Sequence, residues 1–167
     1  MGNKIFLLFL LSLSISVHAQ TKLYDDFSFK MSKKEAFTLL KKDKKKFNNL
    51  RLGPNNVFIL KKGSLIFEDD ELIHITIWNK SILDVKKTEK LLKTSKNHLE
   101  SKGFQMVYAQ PNWENPLFKE KNKPYLRMIQ KEKKILAEIE PRGQGENYTV
   151  FLSYYDLDWF HQKINEL

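Results

Sequence analysis

Residues 65–78 read Leu-Ile-Phe-Glu-Asp-Asp-Glu-Leu-Ile-His-Ile-Thr-Ile-Trp, two apolar runs separated by four consecutive acids. Ile73, Ile75 and Ile77 alternate with His74, Thr76 and Trp78, the period of two of a strand with one buried face. Glu68, Asp69, Asp70 and Glu71 put charge, and the turn-forming Asp, where the chain must reverse in water. The segment therefore reads as a β-hairpin with three isoleucines facing the core. Each is worth about 1.5–3 kcal/mol once buried, enough to make the hairpin a nucleus for a sheet.

The flanking segments supply helices and more strands. Residues 23–29 are a short lead-in that reads as an edge strand. Ser32 and Glu35 have the S-x-x-E spacing of a capping box, in which each side chain satisfies a free amide at a helix start. In the helix that follows, Ala36, Leu39, Leu40 and Phe47 share a face. Lys41, Lys42, Lys44, Lys45 and Lys46 crowd its last turns, where positive charge suits the helix dipole. Asn48, Asn49 and Gly53-Pro54 end it. Residues 56–60 read as a strand and Lys61-Lys62-Gly63 as a turn, so that residues 56–78 form a three-stranded meander.

A second helix is expected over about 84–102, with Val85, Thr88, Leu92, Ser95 and Leu99 on one stripe and Gly103 as its C-cap. Strands follow at 104–109, 125–130, 135–140 and 148–155. Residues 141–145 read as a turn. Residues 156–167 read as a short amphipathic helix anchored by Trp159, Phe160 and Ile164. The fold class is α+β: two main helices packed on antiparallel sheet, ordered helix–three strands then helix–about four strands, with a short C-terminal helix. The Ser32-Lys33-Lys34-Glu35 helix start followed by a meander resembles small cell-envelope modules of the SmpA/OmlA type. That resemblance spans residues 31–79, and no function is carried over from it.

Residues 1–19 stand apart. Lys4 precedes an apolar stretch over 5–17, and Val17-His18-Ala19 is a small-residue cleavage site, so residues 1–19 read as a secretory signal peptide. As a helix the apolar stretch would span only about 20 Å, short of the roughly 30 Å hydrocarbon core. Residues 20–167 are expected to form a single domain, with possible lobes at 20–81 and 82–167. Hydrophobic residues make up 41% of the chain and aromatics 13%, enough for a packed interior. No later stretch is apolar enough to span a bilayer once the signal is removed. There is no cysteine, which excludes disulfides, thiolate metal sites and a cysteine nucleophile. A bacterial lipoprotein needs a cysteine at its cleavage site, so the expected location is periplasmic or extracellular without a lipid anchor.

The net charge of +9 is concentrated. Residues 30–62 hold eleven basic residues against two acids, whereas residues 63–167 hold sixteen of each. Only Arg51, Arg127 and Arg142 are arginines, and lysine is poorly suited to bidentate recognition of phosphate or bases. Together with export, this argues against nucleic acid as a partner. The basic segment could instead meet an anionic envelope surface or another envelope protein, or it could simply be solvated. The candidate partner-binding residues are Lys41, Lys42, Lys44, Lys45 and Lys46, with Trp113 and Phe118 from the long proline-containing loop over 110–124.

No chemistry-bearing pattern emerges. His74, His98 and His161 lack ligand spacing, no G-x-S-x-G is present, and Asp156 and Asp158, with Glu146 upstream, read as turn or cap residues. No cofactor or metal is expected. The functional expectation is an exported, non-catalytic binding protein of the bacterial cell envelope. The alternative is a periplasmic inhibitor or immunity protein directed against a toxin or hydrolase through the acidic turn or the aromatic loop.

Overall fold

The computed structural model describes residues 22–53, 55–111, 123–144 and 146–165. These residues form a mixed α+β architecture. The elements run β1 (Lys22–Tyr24), β2 (Phe27–Ser28), α1 (Lys33–Lys42), α2 (Lys44–Phe47), β3 (Leu50–Arg51), β4 (Val57–Ile59), β5 (Leu65–Glu68) and β6 (Glu71–Asn79). They continue with α3 (Val85–Ser101), β7 (Gln105–Ala109), β8 (Leu126–Gln130), β9 (Ile135–Gln144), β10 (Asn147–Asp156) and α4 (Leu157–Asn165). One antiparallel sheet has the order β3-β4-β6-β10-β9-β8-β7, with β5 also paired to β6. Pairing of β10 with β6 joins the early strands to the β7–β10 meander.

The β5–β6 hairpin forms, and its turn residues Asp69 and Asp70 have φ of 49° and 65°. Positive φ at both central positions gives the mirror-image turn whose twist matches that of the strands. The phase of β6 differs from the simple alternation. Ile66 pairs with His74 and Phe67 with Leu72, so Ile73 is an extra residue in a bulge. A bulge shifts the side-chain phase by one. Leu72 therefore joins Ile75 and Ile77 in the core, all three fully buried, and Ile73 is only half-buried.

The expected meander over 56–78 does not form. β4 and β5 both run antiparallel to β6, so they run in the same direction as each other. Lys62–Ser64 is a turn of 3₁₀ helix that offsets one interrupted strand without reversing it. The Ser64 hydroxyl accepts from the Lys61 amide at 2.8 Å, closing the offset locally. Leu60, beside this offset, is 2% exposed, and its amide donates to the Phe47 carbonyl at 2.8 Å.

The capping box of α1 is present, with the Ser32 hydroxyl accepting from the Glu35 amide and the Glu35 carboxylate accepting from the Ser32 amide at 3.0 Å. The helix expected to continue to Phe47 breaks at Asp43, where φ is −109° and ψ 31°. Beyond the break Phe47 is fully buried against Phe27, ring centroids 5.3 Å apart. Residues 23–29 are not an edge strand of the main sheet. They contribute to a separate two-stranded hairpin, β1–β2, tied down by Lys46, which pairs with Asp25 and Asp26 at 2.6 and 2.7 Å.

In α3, Asp84 caps the first turn by accepting from the Lys87 amide at 2.7 Å. Gly103 has φ of 85°, and the Phe104 amide returns to the Leu99 carbonyl at 3.1 Å, a glycine C-cap. Thr88, Leu91, Leu92, Ser95 and Leu99 are buried, whereas Val85, in the first turn, stays exposed. α3 lies on β9 and β10. Its face of the sheet carries Ile75, Ile77, Met128, Ile139, Val150 and Leu152, all buried.

β9 runs through Pro141, where a turn was expected. Val150, opposite Pro141, sends its amide to the Asn79 side chain on the β6 side at 2.6 Å. In that register the nitrogen of Pro141 points toward β8, which has already ended at the Leu126–Ile139 pair. No ladder hydrogen bond is lost, which is the setting in which a strand tolerates proline. At the C-terminal end, Trp159 and Phe160 of α4 are half-buried as expected, but Ile164 is 47% exposed.

Candidate functional site

The break at Asp43 borders a groove of about 430 Å³. Phe37, Leu40 and Leu60 supply its apolar surface, and Lys41, Lys44, Lys61 and Lys62 surround them, with Asn48 at one end. Phe37, Leu40, Lys41, Lys44 and Asn48 recur at steps of three and four, so a helical path brings them to one side. Leu60 and the two following lysines arrive from the strand offset between β4 and β5. The Lys62 ammonium lies 4.6 Å from the centroid of the Phe37 ring, a cation–π contact. Phe37 is held edge-on against Phe67 at 5.6 Å. The groove thus pairs an apolar floor with four lysine side chains, a combination suited to an anion that carries an apolar segment.

The five predicted lysines do not act as one cluster. Lys41 and Lys44 line the groove. Lys42 faces a separate depression with Lys34, Glu35, Thr38 and Leu39. Lys45 is exposed. Lys46 is committed to Asp25 and Asp26, whose carboxylates raise its pKa by hydrogen bonding. Lys61 and Lys62 belong to the same basic segment but were not singled out. The signal for them was the juxtaposition of Leu60 with two lysines, which gains meaning only when α1 is placed beside it. Trp113, Phe118 and the signal segment 1–19 lie outside the described residues.

Three of the four acids of the hairpin turn, Glu68, Asp70 and Glu71, engage groups outside this groove. Asp70 accepts from the Lys33 amide at 3.4 Å, at the opposite end of α1. Ten helical residues span about 15 Å. Glu71 pairs with Lys30 at 3.5 Å. Glu68 pairs with Lys163 at 3.0 Å and accepts from the Trp159 indole, and these two bonds hold its carboxyl below the usual range. The turn is therefore tied to the start of α1 and to α4.

The sheet face opposite α3 carries a polar row. Thr76, Ser153, Glu138 and Arg127 lie side by side across β6, β10, β9 and β8. Thr76 Oγ1 is 2.8 Å from Ser153 Oγ and 2.7 Å from His74 Nε2, placing His74 beside Thr76 as the strand pattern implied. Arg127 donates to Glu138 at 2.9 Å and Arg142 to Glu140 at 2.8 Å. Burial raises the Glu138 pKa against the opposing pull of Arg127. Burial, helped by Arg142, lowers His74 to about 4. Ser153 is 4% exposed, while His74, Thr76 and Arg127 are half-buried, so the row is a hydrogen-bonded network whose members engage one another. A sequence reading misses it because the partners lie on four strands.

Asp156 accepts from the Trp159 amide at 2.9 Å and Asp158 pairs with Lys134 at 2.7 Å, which makes them a helix cap and a surface pair. Among the described residues no three His, Asp or Glu side chains converge to hold a metal ion, and no helix is long and apolar enough to cross a membrane. Comparison of the chain with protein-family models, curated proteins and solved structures gives no match.

Proposed function

We propose that this is an exported, non-catalytic binding protein of the bacterial cell envelope that docks on an anionic lipid surface through the groove between α1 and the β4–β5 offset. The observation that carries the reading is the placement of Lys41, Lys44, Lys61 and Lys62 around Phe37, Leu40 and Leu60. Each lysine near an anionic membrane is worth about 1 kcal/mol, and the apolar floor adds the burial of a lipid segment. The signal peptide over 1–19 would bring the protein to that surface, on the periplasmic or outer side.

Co-sedimentation with vesicles tests the reading. Binding is expected to vesicles containing phosphatidylglycerol and to be lost on pure phosphatidylcholine. It is also expected to weaken with salt, because exposed charges are screened. Equal association with both compositions would sink the proposal.

A second reading, a periplasmic inhibitor or immunity protein, rests on the β7 edge. This uncharged terminal strand leaves Met106, Val107 and Tyr108 between 41% and 55% exposed, and open edges can add a partner strand. The acidic turn is a weaker candidate for that role, since Glu68 and Glu71 are already paired. Recovery of one stoichiometric enzyme in a pull-down, lost when Val107→Lys is introduced, would favour this reading.

A further inference from the structure

A second concavity, sharing no residue with the groove, lies where the β1–β2 hairpin meets the C-terminal half of α3 and the start of β9. Its volume is about 550 Å³. Tyr24, Phe104 and Tyr154 are among its lining side chains, with Leu50, Leu99 and Ile135 completing an apolar wall. Tyr154 is 5% exposed. Its ring packs 4.8 Å from Tyr24 and 6.4 Å from Phe104. Among the described residues its hydroxyl has no hydrogen-bond partner, and neither has that of Tyr24. Ser95 Oγ is the fully buried side-chain atom left unpaired there, so the Tyr154 hydroxyl retains exposure, and the cleft is where Tyr154 lines a surface.

A phenol hydroxyl that reaches the cleft surface without a protein partner is free to donate to a ligand acceptor. Burial also raises the pKa of both tyrosines, so they remain O–H donors rather than phenolates. The surrounding charge is mainly positive. Arg51, Lys102 and Lys133 line the cleft and form no ion pair among the described residues. Asp25, the acid in the lining, is held by Lys46 at 2.6 Å. His98, also in the lining, is kept toward its neutral form by burial and by Lys102.

We propose that this cleft is a second binding site, for a small organic carboxylate. A carboxylate oxygen accepts from the Tyr154 hydroxyl, the apolar body lies along Leu50, Leu99 and Phe104, and Arg51, Lys102 and Lys133 balance the charge. Arginine suits a planar carboxylate because its guanidinium can donate two parallel hydrogen bonds. The aromatic lining favours a flat body.

The test uses benzoate as the probe, with benzamide as its uncharged counterpart and inorganic phosphate as competitor, in calorimetric titrations of the intact chain. Benzoate is expected to bind at least about tenfold tighter than benzamide, with phosphate displacing it poorly. Tyr154→Phe is expected to weaken benzoate at least about fivefold while leaving the Tm of the free protein unchanged or higher. Arg51→Gln, at an exposed position, is expected to weaken benzoate with the Tm unchanged. Equal affinity for benzoate and benzamide, or unaltered benzoate binding in both variants, would overturn the proposal. Displacement by phosphate at equal concentration would overturn the carboxylate assignment. None of these variants touches the lysine-rimmed groove, so the outcome is independent of vesicle binding.

Discussion

The imidazole of His74 lies nearly flat on the ring of Tyr155, with centroids 4.1 Å apart and planes 17° from parallel. Thr76 holds its Nε2 from the side, and burial keeps the ring neutral down to about pH 4. In the unfolded chain the same group takes up a proton near pH 6.5. Between these pH values the unfolded state binds more protons, so stability falls as pH drops through that window. The full effect is up to about 3 kcal/mol at 1.36 kcal/mol per unit. Urea unfolding from pH 7 to pH 4.5 should show this loss, and His74→Phe should remove most of it while retaining the stack on Tyr155. An identical pH profile in the variant would refute the assignment.

Asp69 and Asp70 both occupy the left-handed region, which costs an L-residue about 1–2 kcal/mol and favours Asn and Gly. Asp69→Asn combined with Asp70→Gly is expected to stabilise the protein by about 1 kcal/mol, offset slightly by loss of the long contact to the Lys33 amide. Denaturant midpoints with an unchanged m-value would register the gain.

Ser95 sits in the middle of α3, fully buried, and among the described residues its Oγ has no hydrogen-bond partner. Ser95→Ala removes the unsatisfied hydroxyl and installs the best helix former. A gain of roughly 1 kcal/mol is expected, read as a higher Tm. A drop in Tm would mean that the hydroxyl has a partner.

Asn79 does the opposite work. It is 4% exposed, accepts from the Val150 amide at 2.6 Å and donates to the Ser81 carbonyl. It replaces the backbone ladder where β6 leaves the sheet. Asn79→Ala leaves a buried amide unpaired and is expected to cost about 2–3 kcal/mol. Hydrogen exchange should localise the loss to the Val150 amide and its neighbours.

The local chemistry of helix ends was legible in the sequence. The Ser32–Glu35 box and the Gly103 stop are short-range, and each appears where the residues indicate. The α+β class and the antiparallel pairing of the late strands were legible for a similar reason, since hairpins join neighbours in sequence. What was not legible depends on registry between distant elements. A one-residue bulge exchanged Ile73 for Leu72 in the core. The 3₁₀ offset at Lys62–Ser64 made an interrupted strand look like two strands and a turn. Pro141 looked like a turn because the end of β8, which frees its nitrogen, is set by pairing elsewhere. The candidate groove was half visible. Lys41 and Lys44 were named, but Lys61, Lys62 and the apolar floor needed α1 and the strand offset side by side.

The groove itself is tested most directly by comparing two variants of equal charge in vesicle co-sedimentation. One carries Lys41→Gln, Lys44→Gln, Lys61→Gln and Lys62→Gln. The other carries Lys80→Gln, Lys86→Gln, Lys90→Gln and Lys131→Gln, all at exposed positions away from the groove. At about 1 kcal/mol per lysine, the first should lose affinity for phosphatidylglycerol vesicles by two to three orders of magnitude, and the second by less than about tenfold. Equal losses would reduce the interaction to net charge, and a groove variant that binds like the parent protein would contradict the site outright.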